Sequence, residues 1–269
     1  MKLSIITINY NNLAGLKRTL DSVTSQTYRE FEHIIIDGGS TDGSVDVIRE
    51  YGKAQTSNVQ WISEKDKGIY DAMNKGVVKS SGEYLYFLNS GDTLVAPSVI
   101  EDLLGVLDDS DFLIGRVNKT YQNQVLDQTD LLSEKDMSLY YMYLHGINHQ
   151  SALIKRDLLV RTPYDISVRM GADWKFFVQT IVLGGASTKF VDIMFANYDL
   201  SGLSSNTPAV RRERETILDT IVPERIARDY RAVAPHYFEV IRVEWLLRHP
   251  FWYKLYRGLT TFARKITKS

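Results

Sequence analysis

The sequence contains no cysteine and no long apolar run. Without cysteine in 269 residues, disulfide bonds and thiolate metal sites are both excluded. No segment offers about 18 uninterrupted apolar residues, so we expect no membrane-spanning helix. The N-terminus lacks the apolar stretch and small-residue cleavage site of a signal peptide. We therefore expect a cytosolic protein, with one large domain or one domain and an appendage.

A strong net charge is also missing, since the formal net charge is −1. This value hides an asymmetry between two parts of the chain. From Pro208 to the C-terminus there are 13 Lys and Arg against 7 Asp and Glu, whereas the rest holds 19 against 26. An acidic body with a basic tail favours contact with an anionic surface, and we expect no nucleic-acid partner.

Strand-like and helix-like patterns alternate over the first 90 residues. The predicted strands are 2–8, 31–36, 59–63 and 84–88, and the predicted helices are 13–26, 44–51 and 68–79. A strand, a polar turn and a helix, repeated at about 25–30 residues, are typical of βαβ units. The sequence therefore predicts an α/β fold with a mostly parallel central sheet flanked by helices.

Beyond residue 105 the patterns are shorter. We predict strands at 111–115, 124–127 and 151–155 and a helix at 172–183. The pair Thr207-Pro208 marks the predicted start of a helical C-terminal extension. The predicted domains are 1–207, divided into halves 1–105 and 106–207, and the extension 208–269.

Polar turns follow the predicted strands, which is where a doubly wound sheet binds its ligands. In the first turn the ring of Tyr10 suits stacking on a nucleobase, although a plain helix N-cap explains the segment equally well. In the second turn Asp37 can accept a base N–H; the alternative is again a cap, because Ser40, Thr41 and Asp42 are good N-cap residues. The fourth strand ends at Asn89–Asp92, whose carboxylate suits a hard cation that in turn holds phosphate oxygens.

The segment 63–76 mixes carboxylates and lysines at the start of a helix. Asp71, Asn74 and Lys75 share one helix face, which favours a common role. The alternative is a solvated run of charges.

Taken together, these segments resemble the family 2 glycosyltransferases, which have the GT-A fold, a Rossmann-like nucleotide-diphosphosugar transferase fold. The resemblance is clearest over about residues 1–105. It implies that Asp37 reads the base of the donor and that Asp92 binds Mg²⁺ or Mn²⁺. The donor-binding residues that it implies are Thr7, Asn9, Tyr10, Asp37, Asp66, Asp71, Asn74, Ser90 and Gly91.

The sequence departs from the family pattern in two turns. Many members have further aspartates where this chain has Ser90 and Gly91. Many also have Arg-Asn-x-Gly where this chain has 73–76, so the cation for the donor phosphates would come from Lys65, Lys67 or Lys75.

The resemblance also assigns the acceptor half. His149, Gln150 and Trp174 would lie on the acceptor side, and Asp173 would be the catalytic base. An N-cap role for Asp173 is the alternative. Asp199 and the segment 201–204 resemble a loop that closes over the donor, with an ordinary surface loop as the alternative.

Residues 250–268 form a basic amphipathic pattern. At about 100° per residue, seven apolar side chains fall on one face and five cations on the other: Trp252, Leu255, Tyr256, Leu259, Phe262, Ala263 and Ile266 against Lys254, Arg257, Arg264, Lys265 and Lys268. Such a helix suits the surface of an anionic membrane. Packing on its own domain, or on a second copy in a homo-oligomer, is the alternative.

The sequence thus predicts a metal-dependent inverting glycosyltransferase in cell-surface polysaccharide biosynthesis, at the inner face of the cell membrane. It would move a sugar from a nucleotide-diphosphate donor, with UDP favoured, to a hydroxyl of a glycan or lipid-linked saccharide. Two alternatives stay open: a sugar nucleotidyltransferase, and a non-catalytic nucleotide-sugar-binding protein. The first usually has a Gly-rich loop with Arg or Lys after strand one, which 9–13 lacks.

Overall fold

The structure is a computed structural model that describes residues 1–54, 58–201 and 207–266. Nine strands of this part of the chain form one sheet. They are β1 (Leu3–Asn9), β2 (Glu32–Asp37), β3 (Val59–Ser63), β4 (Tyr84–Phe87), β5 (Thr93–Leu94), β6 (Phe112–Tyr121), β7 (Gln124–Gln128), β8 (Ala152–Lys155) and β9 (Thr188–Asp199).

The helices cover most of the remaining described residues. They are α1 (Leu13–Thr24), α2 (Ser44–Ala54), α3 (Ile69–Lys79), α4 (Val99–Val106), α5 (Leu139–Leu144), α6 (Arg156–Arg161), α7 (Ala172–Phe177), α8 (Thr207–Ile221), α9 (Glu224–Val233), α10 (Tyr237–Arg248) and α11 (Pro250–Ile266). A π-helical segment, Val178–Leu183, continues α7, and short 3₁₀ turns lie at Glu134–Asp136, His149–Ser151 and Ala234–His236.

The strand order is β3-β2-β1-β4-β8-β6-β9-β5, with β7 paired to β6. The first four strands in the chain pair in parallel, as do β6 and β9. The pairs β4–β8, β6–β8, β6–β7 and β5–β9 are antiparallel. This curled α/β sheet flanked by helices confirms the predicted fold class, and its parallel part is the part that the repeating pattern of the sequence predicted.

The parallel strands β1, β2 and β4 are buried along their whole length because helices cover both faces of the sheet. On one face Leu3 and Ile5 of β1 pack with Tyr84 and Tyr86 of β4. On the same face Ile35, in register with Thr7, packs with a smaller cluster that includes α1 side chains at helical spacing, Leu16 and Leu20. The other face is covered by α3, where a Cβ atom on Gly76 would lie 2.4 Å from Ile6 Cγ2. The alternation along each strand therefore divides one apolar run between two cores.

The predicted strands and helices of the first 90 residues are found within a few residues of their predicted ends. The later part differs more, because the long strand β9 and the helices α4, α5 and α6 had no counterpart in the prediction. Strand β9 runs beside β6 with irregular register between Ile114 and Val117, so its pattern is not a clean alternation.

The chain divides into two compact units, Met1–Ile217 and Leu218–Ser269. The first contains the sheet. The second contains the end of α8 and the helices α9, α10 and α11. The predicted extension begins at residue 208, and α8 begins at Thr207. Among the described helices, none combines the length and apolar character that crossing a bilayer requires.

Candidate active site

Three polar side chains lie in one row at the carboxyl ends of neighbouring parallel strands. In the strand register Asn9 of β1 is opposite Asp37 of β2, and Asp37 is opposite Ser63 of β3. The Asn9 amide donates to Asp37 Oδ1 at 2.8 Å, and the Ser63 hydroxyl donates to Asp37 Oδ2 at 2.6 Å. Parallel pairing therefore brings together turns that are far apart in sequence.

Asp37 is fully buried and holds its own turn together. Its carboxylate also accepts bonds from the backbone N–H groups of Gly39 and Ser40 and from the Ser40 hydroxyl. Burial raises the pKa of Asp37, but the hydrogen bonds of Ser40, Ser63 and Asn9 outweigh it and hold that pKa below its ordinary value. A carboxylate has about four lone-pair directions, and these donors fill them. The base-reading role predicted for Asp37 would require some of these bonds to break.

An exposed aromatic ring and a carboxylate meet beside this turn. Tyr10 is 67% exposed. A Cβ atom on Gly38 would lie 3.1 Å from Tyr10 Cδ2 and 2.5 Å from Asp66 Oδ2, so a larger residue at position 38 would require the Asp66 carboxylate to move. Asp66 accepts a backbone bond from Gly68 on Oδ1, at 3.0 Å. A flat ring beside a carboxylate oxygen is suited to a planar ligand that carries an N–H donor.

Two predicted donor-binding residues have structural contacts instead. The hydroxyl of Thr7 is buried; it donates to the Leu88 carbonyl and bonds with His33 Nε2. The amide of Asn74 donates to the Tyr164 carbonyl and accepts from the Tyr164 N–H, at 2.8 and 3.0 Å. Both side chains use their polar atoms within the protein.

The charges at the start of α3 pair with one another. Lys75 Nζ lies 2.9 Å from Glu64 and 3.4 Å from Asp71. Asp71 also accepts the backbone N–H of Lys67, and this bond together with Lys75 lowers its pKa. The helix face predicted from Asp71, Asn74 and Lys75 is therefore real, but Lys75 already has two carboxylate partners. Lys65 and Lys67, the other predicted phosphate cations, are exposed.

The turn after β4 has a conformation that requires glycine. Gly91 has a φ of +113°. This backbone conformation disfavours an aspartate at position 91, where many family members have one. The Gly91 N–H donates to the Thr19 hydroxyl at 3.0 Å, which ties the turn to α1. The Ser90 hydroxyl is buried and has no hydrogen-bond partner among the described residues. The turn thus offers neutral oxygens and a single carboxylate.

That carboxylate, Asp92, is 3% exposed, and both of its oxygens are bonded. Oδ1 accepts the Asp199 N–H at 2.9 Å, and Oδ2 accepts the Gln150 side-chain amide at 3.0 Å. Burial raises the pKa of Asp92 to about 6. Mg²⁺ sites in proteins usually combine one or two free carboxylates with substrate phosphates. The donor set of this turn does not fit a resident cation, and no cluster of three His, Asp or Glu in the described chain fits one either.

The predicted base, Asp173, lies at the start of α7 and is held by three donors. The Tyr70 hydroxyl and the Trp174 N–H donate to Oδ1, both at 2.9 Å. His149 Nδ1 lies 3.0 Å from Oδ2. Burial raises the pKa of Asp173, but the hydrogen bonds of His149, Tyr70 and the Trp174 N–H outweigh it, so the pKa is lowered. The side chain is 18% exposed. An ionised carboxylate with one lone pair left on Oδ2 can accept a proton.

The other acceptor-side residues are buried behind this carboxylate. Gln150 is 3% exposed and bonds to Asp92, and Trp174 is 1% exposed with its indole N–H on the Met142 carbonyl. They shape the site through packing. Sequence reasoning gave no role to Tyr70, because it lies 103 residues from Asp173 and no local pattern connects them. Asp199 bonds to Asp92 through its N–H and pairs with Arg18 at 3.2 Å, while 202–204 of the predicted closing loop lie outside the described residues.

These features define an α/β protein of the GT-A class, with polar turns at the carboxyl ends of its first strands and a held carboxylate on the other half. The sequence matches Glycosyl transferase family 2 over residues 4–175, and the chain belongs to this family. It is 31% identical over 211 residues to an uncharacterised glycosyltransferase of Mycobacterium tuberculosis, covering 76% of this chain and 77% of that one. It is 29% identical to a PGL/p-HBAD biosynthesis glycosyltransferase of Mycobacterium bovis, covering 76% and 79%.

Solved structures have the same fold. S. aureus TarS residues 1–349 in complex with UDP-GlcNAc give a TM-score of 0.62 at 18% identity, covering 86% of this chain and 70% of that chain. The match to another S. aureus TarS structure covers 82% of this chain and 39% of that chain. The mannosyltransferase PcManGT of Pyrobaculum calidifontis, in complex with GDP-Man and Mn²⁺, gives 0.57 at 18% identity, covering 81% and 61%. At this identity the likeness shows the fold alone.

Proposed function

We propose that this glycosyltransferase is an inverting enzyme that moves a sugar from a UDP-linked donor to a hydroxyl of a glycan or lipid-linked saccharide in cell-surface polysaccharide biosynthesis. The observation that carries the proposal is the Asp173 carboxylate, fixed by three donors and left with one lone pair. Relatives in PGL/p-HBAD biosynthesis and structural neighbours bound to nucleotide sugars support it.

Asp173 would act as the general base. Its free Oδ2 lone pair takes the proton as the O–H bond of the acceptor breaks, and the acceptor oxygen bonds to the anomeric carbon. The bond from that carbon to the diphosphate breaks on the opposite face, and its electron pair leaves with the nucleoside diphosphate. Attack opposite the leaving group inverts the anomeric configuration.

The nucleobase would lie between Tyr10 and Asp66. The exposed ring of Tyr10 stacks on the base, and Asp66 Oδ2 beside Gly38 accepts a base N–H. Uracil has an N–H at N3, whereas cytosine has an acceptor there. This contrast supports UDP over CDP. Asn9 and Asp37 would hold the shape of the turn beneath the base.

In this proposal the predicted Mg²⁺ or Mn²⁺ is bound together with the donor and is not held by the protein beforehand. Because both oxygens of Asp92 are bonded, a divalent cation would enter with the donor diphosphate as part of the substrate. Bound there, it would neutralise charge on the leaving group. No step of the proposed transfer is assigned to it.

Contact with an anionic membrane surface through α10 and α11 belongs to the same proposal. Large apolar side chains are exposed on these helices, among them Phe251 at 71% and Trp252 at 49%. From Tyr237, where α10 begins, to Ser269 there are seven Lys and Arg against two Glu and no Asp. Aromatic and basic side chains together suit anionic lipid headgroups, whereas two like-charged copies repel each other. The side chains of Leu259, Phe262, Ala263 and Ile266, and all of Lys268, lie outside the described part.

The membrane proposal is tested by vesicle flotation with phosphatidylglycerol and with phosphatidylcholine. We expect flotation with the anionic vesicles only, and its loss in Trp252→Ser and in Lys254→Glu. The matched control is Val78→Ser, since Val78 is 79% exposed in the first unit. A wild-type chain that stays with neither vesicle contradicts the membrane contact.

The transfer itself is tested with Asp173→Asn. Asparagine keeps the size of the side chain but cannot accept the proton, so transfer should fall about a hundredfold or more while UDP binding is kept. Substrate screening uses UDP- and GDP-sugars with Mn²⁺ present, and product anomers are read by proton NMR. Full activity of the variant, or retained anomeric configuration, overturns the proposal.

A further inference from the structure

A chain of side-chain hydrogen bonds connects the turn after β4 to the proposed base. The Asn89 amide nitrogen lies 3.0 Å from His149 Nε2, and His149 Nδ1 lies 3.0 Å from Asp173 Oδ2. Asn89 is 60 residues from His149, and His149 is 24 residues from Asp173. The imidazole is 12% exposed. Each of its nitrogens therefore faces one protein group in a nearly closed site.

The two partners of His149 demand the same tautomer. The structure turns the amide nitrogen of Asn89 toward His149 Nε2 and leaves Asn89 Oδ1 buried without a hydrogen-bond partner among the described residues. An amide nitrogen only donates, so in this orientation Nε2 accepts the bond and carries no proton. An ionised carboxylate only accepts, so His149 Nδ1 must donate its proton to Asp173 Oδ2. Both constraints give a neutral imidazole protonated at Nδ1. A second proton on Nε2 would point at the amide hydrogens of Asn89.

The other groups around this pair are two tyrosines, Tyr70 and Tyr164, the ring of Phe87, and the buried carboxylate of Asp92. Burial raises the pKa of Asp92, which reduces its charge and so its pull on His149. Phe87 presents an edge-to-face contact to the imidazole, with ring centroids 6.4 Å apart, and it carries no charge. Tyr70 donates to Asp173 Oδ1 and so leaves Oδ2 to His149 and the acceptor. The described contacts thus leave one lone pair of Asp173 Oδ2 for a proton, in a direction that His149 fixes.

We propose that Asn89 and His149 are positioning residues for Asp173: Asn89 selects the Nδ1–H tautomer of His149, and His149 orients the carboxylate toward the acceptor hydroxyl. This inference rests on the proposed function. It also gives a role to Asn89, which stands at the start of the turn where a metal motif was expected. In this proposal the turn orients Asp173 through Asn89 and His149. Asp92 of the same turn accepts a hydrogen bond from Gln150, the residue next to His149.

The tautomer is read directly by nitrogen NMR of the histidine side chains in the wild-type protein. The five histidines are assigned by substitution, with His149→Gln identifying the signal of interest. We expect a protonated Nδ1 and an unprotonated Nε2 at neutral pH. A protonated Nε2 overturns the inference whether or not the protein transfers sugar.

The effect on catalysis is read from two substitutions of Asn89 with opposite expectations. Asn89→Leu removes the donor, so His149 loses its fixed tautomer and holds Asp173 less well. We expect kcat to fall at least about tenfold with UDP affinity kept, and the acidic limb of the rate profile to move to higher pH. Asn89→Asp accepts a hydrogen bond from Nε2–H, which favours an imidazolium protonated at both nitrogens and moves the same limb to lower pH.

Asn118→Leu is the matched control. Asn118 also bonds to a side chain, Asn197, at 2.8 Å, but it lies on β6 away from the network. It should leave the pH profile unchanged. If both Asn89 variants lower kcat with no movement of the acidic limb, the positioning role is wrong and the residue is merely structural. If the tautomer is as expected but the wild-type protein transfers no sugar, the proposed function is wrong, whereas the hydrogen-bonded arrangement of Asn89, His149 and Asp173 is confirmed.

Discussion

Gln150 donates a hydrogen bond of 3.0 Å to Asp92, and the two residues lie 58 positions apart in the chain. Asp92 also accepts the N–H of Asp199 at the end of β9. One buried carboxylate therefore joins the turn after β4, the acceptor-side segment and the last strand of the sheet. Its environment explains why it behaves as a structural group.

Replacing Asp92 with alanine should destabilise the protein by about 2–4 kcal/mol, because two buried donors lose their acceptor. Thermal unfolding of the wild-type and variant proteins measures the loss. Asp21→Ala, at an exposed position of α1, is the control and should change stability by less than about 0.5 kcal/mol. Equal unfolding temperatures for Asp92→Ala and wild type would contradict the structural role.

Manganese should not bind measurably to the nucleotide-free protein. Both oxygens of Asp92 are bonded, and the described residues offer no cluster of three acidic or histidine ligands. Calorimetric titration of Mn²⁺ after chelation, with and without UDP, checks this. Tight binding without UDP that disappears in Asp92→Asn would show that the carboxylate leaves Gln150 to bind metal.

Removal of the Tyr10 ring should weaken UDP binding. Stacking on an aromatic side chain contributes about 1–3 kcal/mol per base, so Tyr10→Ala should raise the Kd at least about fivefold. Tyr121→Ala is a matched control because Tyr121 is also exposed, at 48%, but lies at the end of β6. Equal losses in both variants would refute a specific stacking role.

Changing Asp66 to asparagine should reduce the preference for UDP over CDP. The carboxylate accepts an N–H from uracil, whereas an amide can also donate to the ring nitrogen of cytosine. We expect the ratio of the two Kd values to fall by about fivefold or more, since a hydrogen bond to a charged acceptor is stronger than one to a neutral amide by about 1 kcal/mol. Fluorescence titration with both nucleotides measures it. An unchanged ratio would indicate that another group reads the base.

Acid should destabilise the protein through His33. This side chain is buried, with Thr7 on one ring nitrogen and Tyr51 on the other, and burial lowers its pKa to about 3 from an ordinary value of 6.5. Below pH 6.5 the unfolded chain takes up a proton that the folded protein does not. The stability present above pH 6.5 is therefore lost toward pH 3, at about 1.4 kcal/mol per pH unit.

The difference between wild type and His33→Gln isolates this contribution. Asp92 contributes in the opposite direction. Because its pKa in the folded protein is raised to about 6, its contribution to the free energy of unfolding falls as pH rises toward and through about 6. Denaturant midpoints between pH 4 and pH 8 should show a smaller acid loss for the variant. The same pH dependence in both proteins would mean that His33 becomes protonated without unfolding.

Local pattern was enough to predict the parallel half of the fold. Leu3–Asn9, Glu32–Asp37 and Tyr84–Phe87 are apolar runs that end in polar turns, and each local choice agrees with the global sheet. Strand β9 was missed because its residues are mostly half-buried and its pairing with β6 slips register. Such a strand carries no regular alternation for a pattern to reveal.

The sequence by itself predicted roles for Asp37, Asp92 and Asp173, because each belongs to a short motif of a few neighbouring residues. Only the tertiary structure decided what each carboxylate does. Five donors fill the lone pairs of Asp37, whereas Asp92 is buried and accepts one bond on each oxygen, and Asp173 accepts three bonds and keeps one lone pair on Oδ2. The number of donors around a carboxylate depends on residues that are far apart in the chain. Burial and hydrogen-bond geometry exist only once the sheet has brought those residues together.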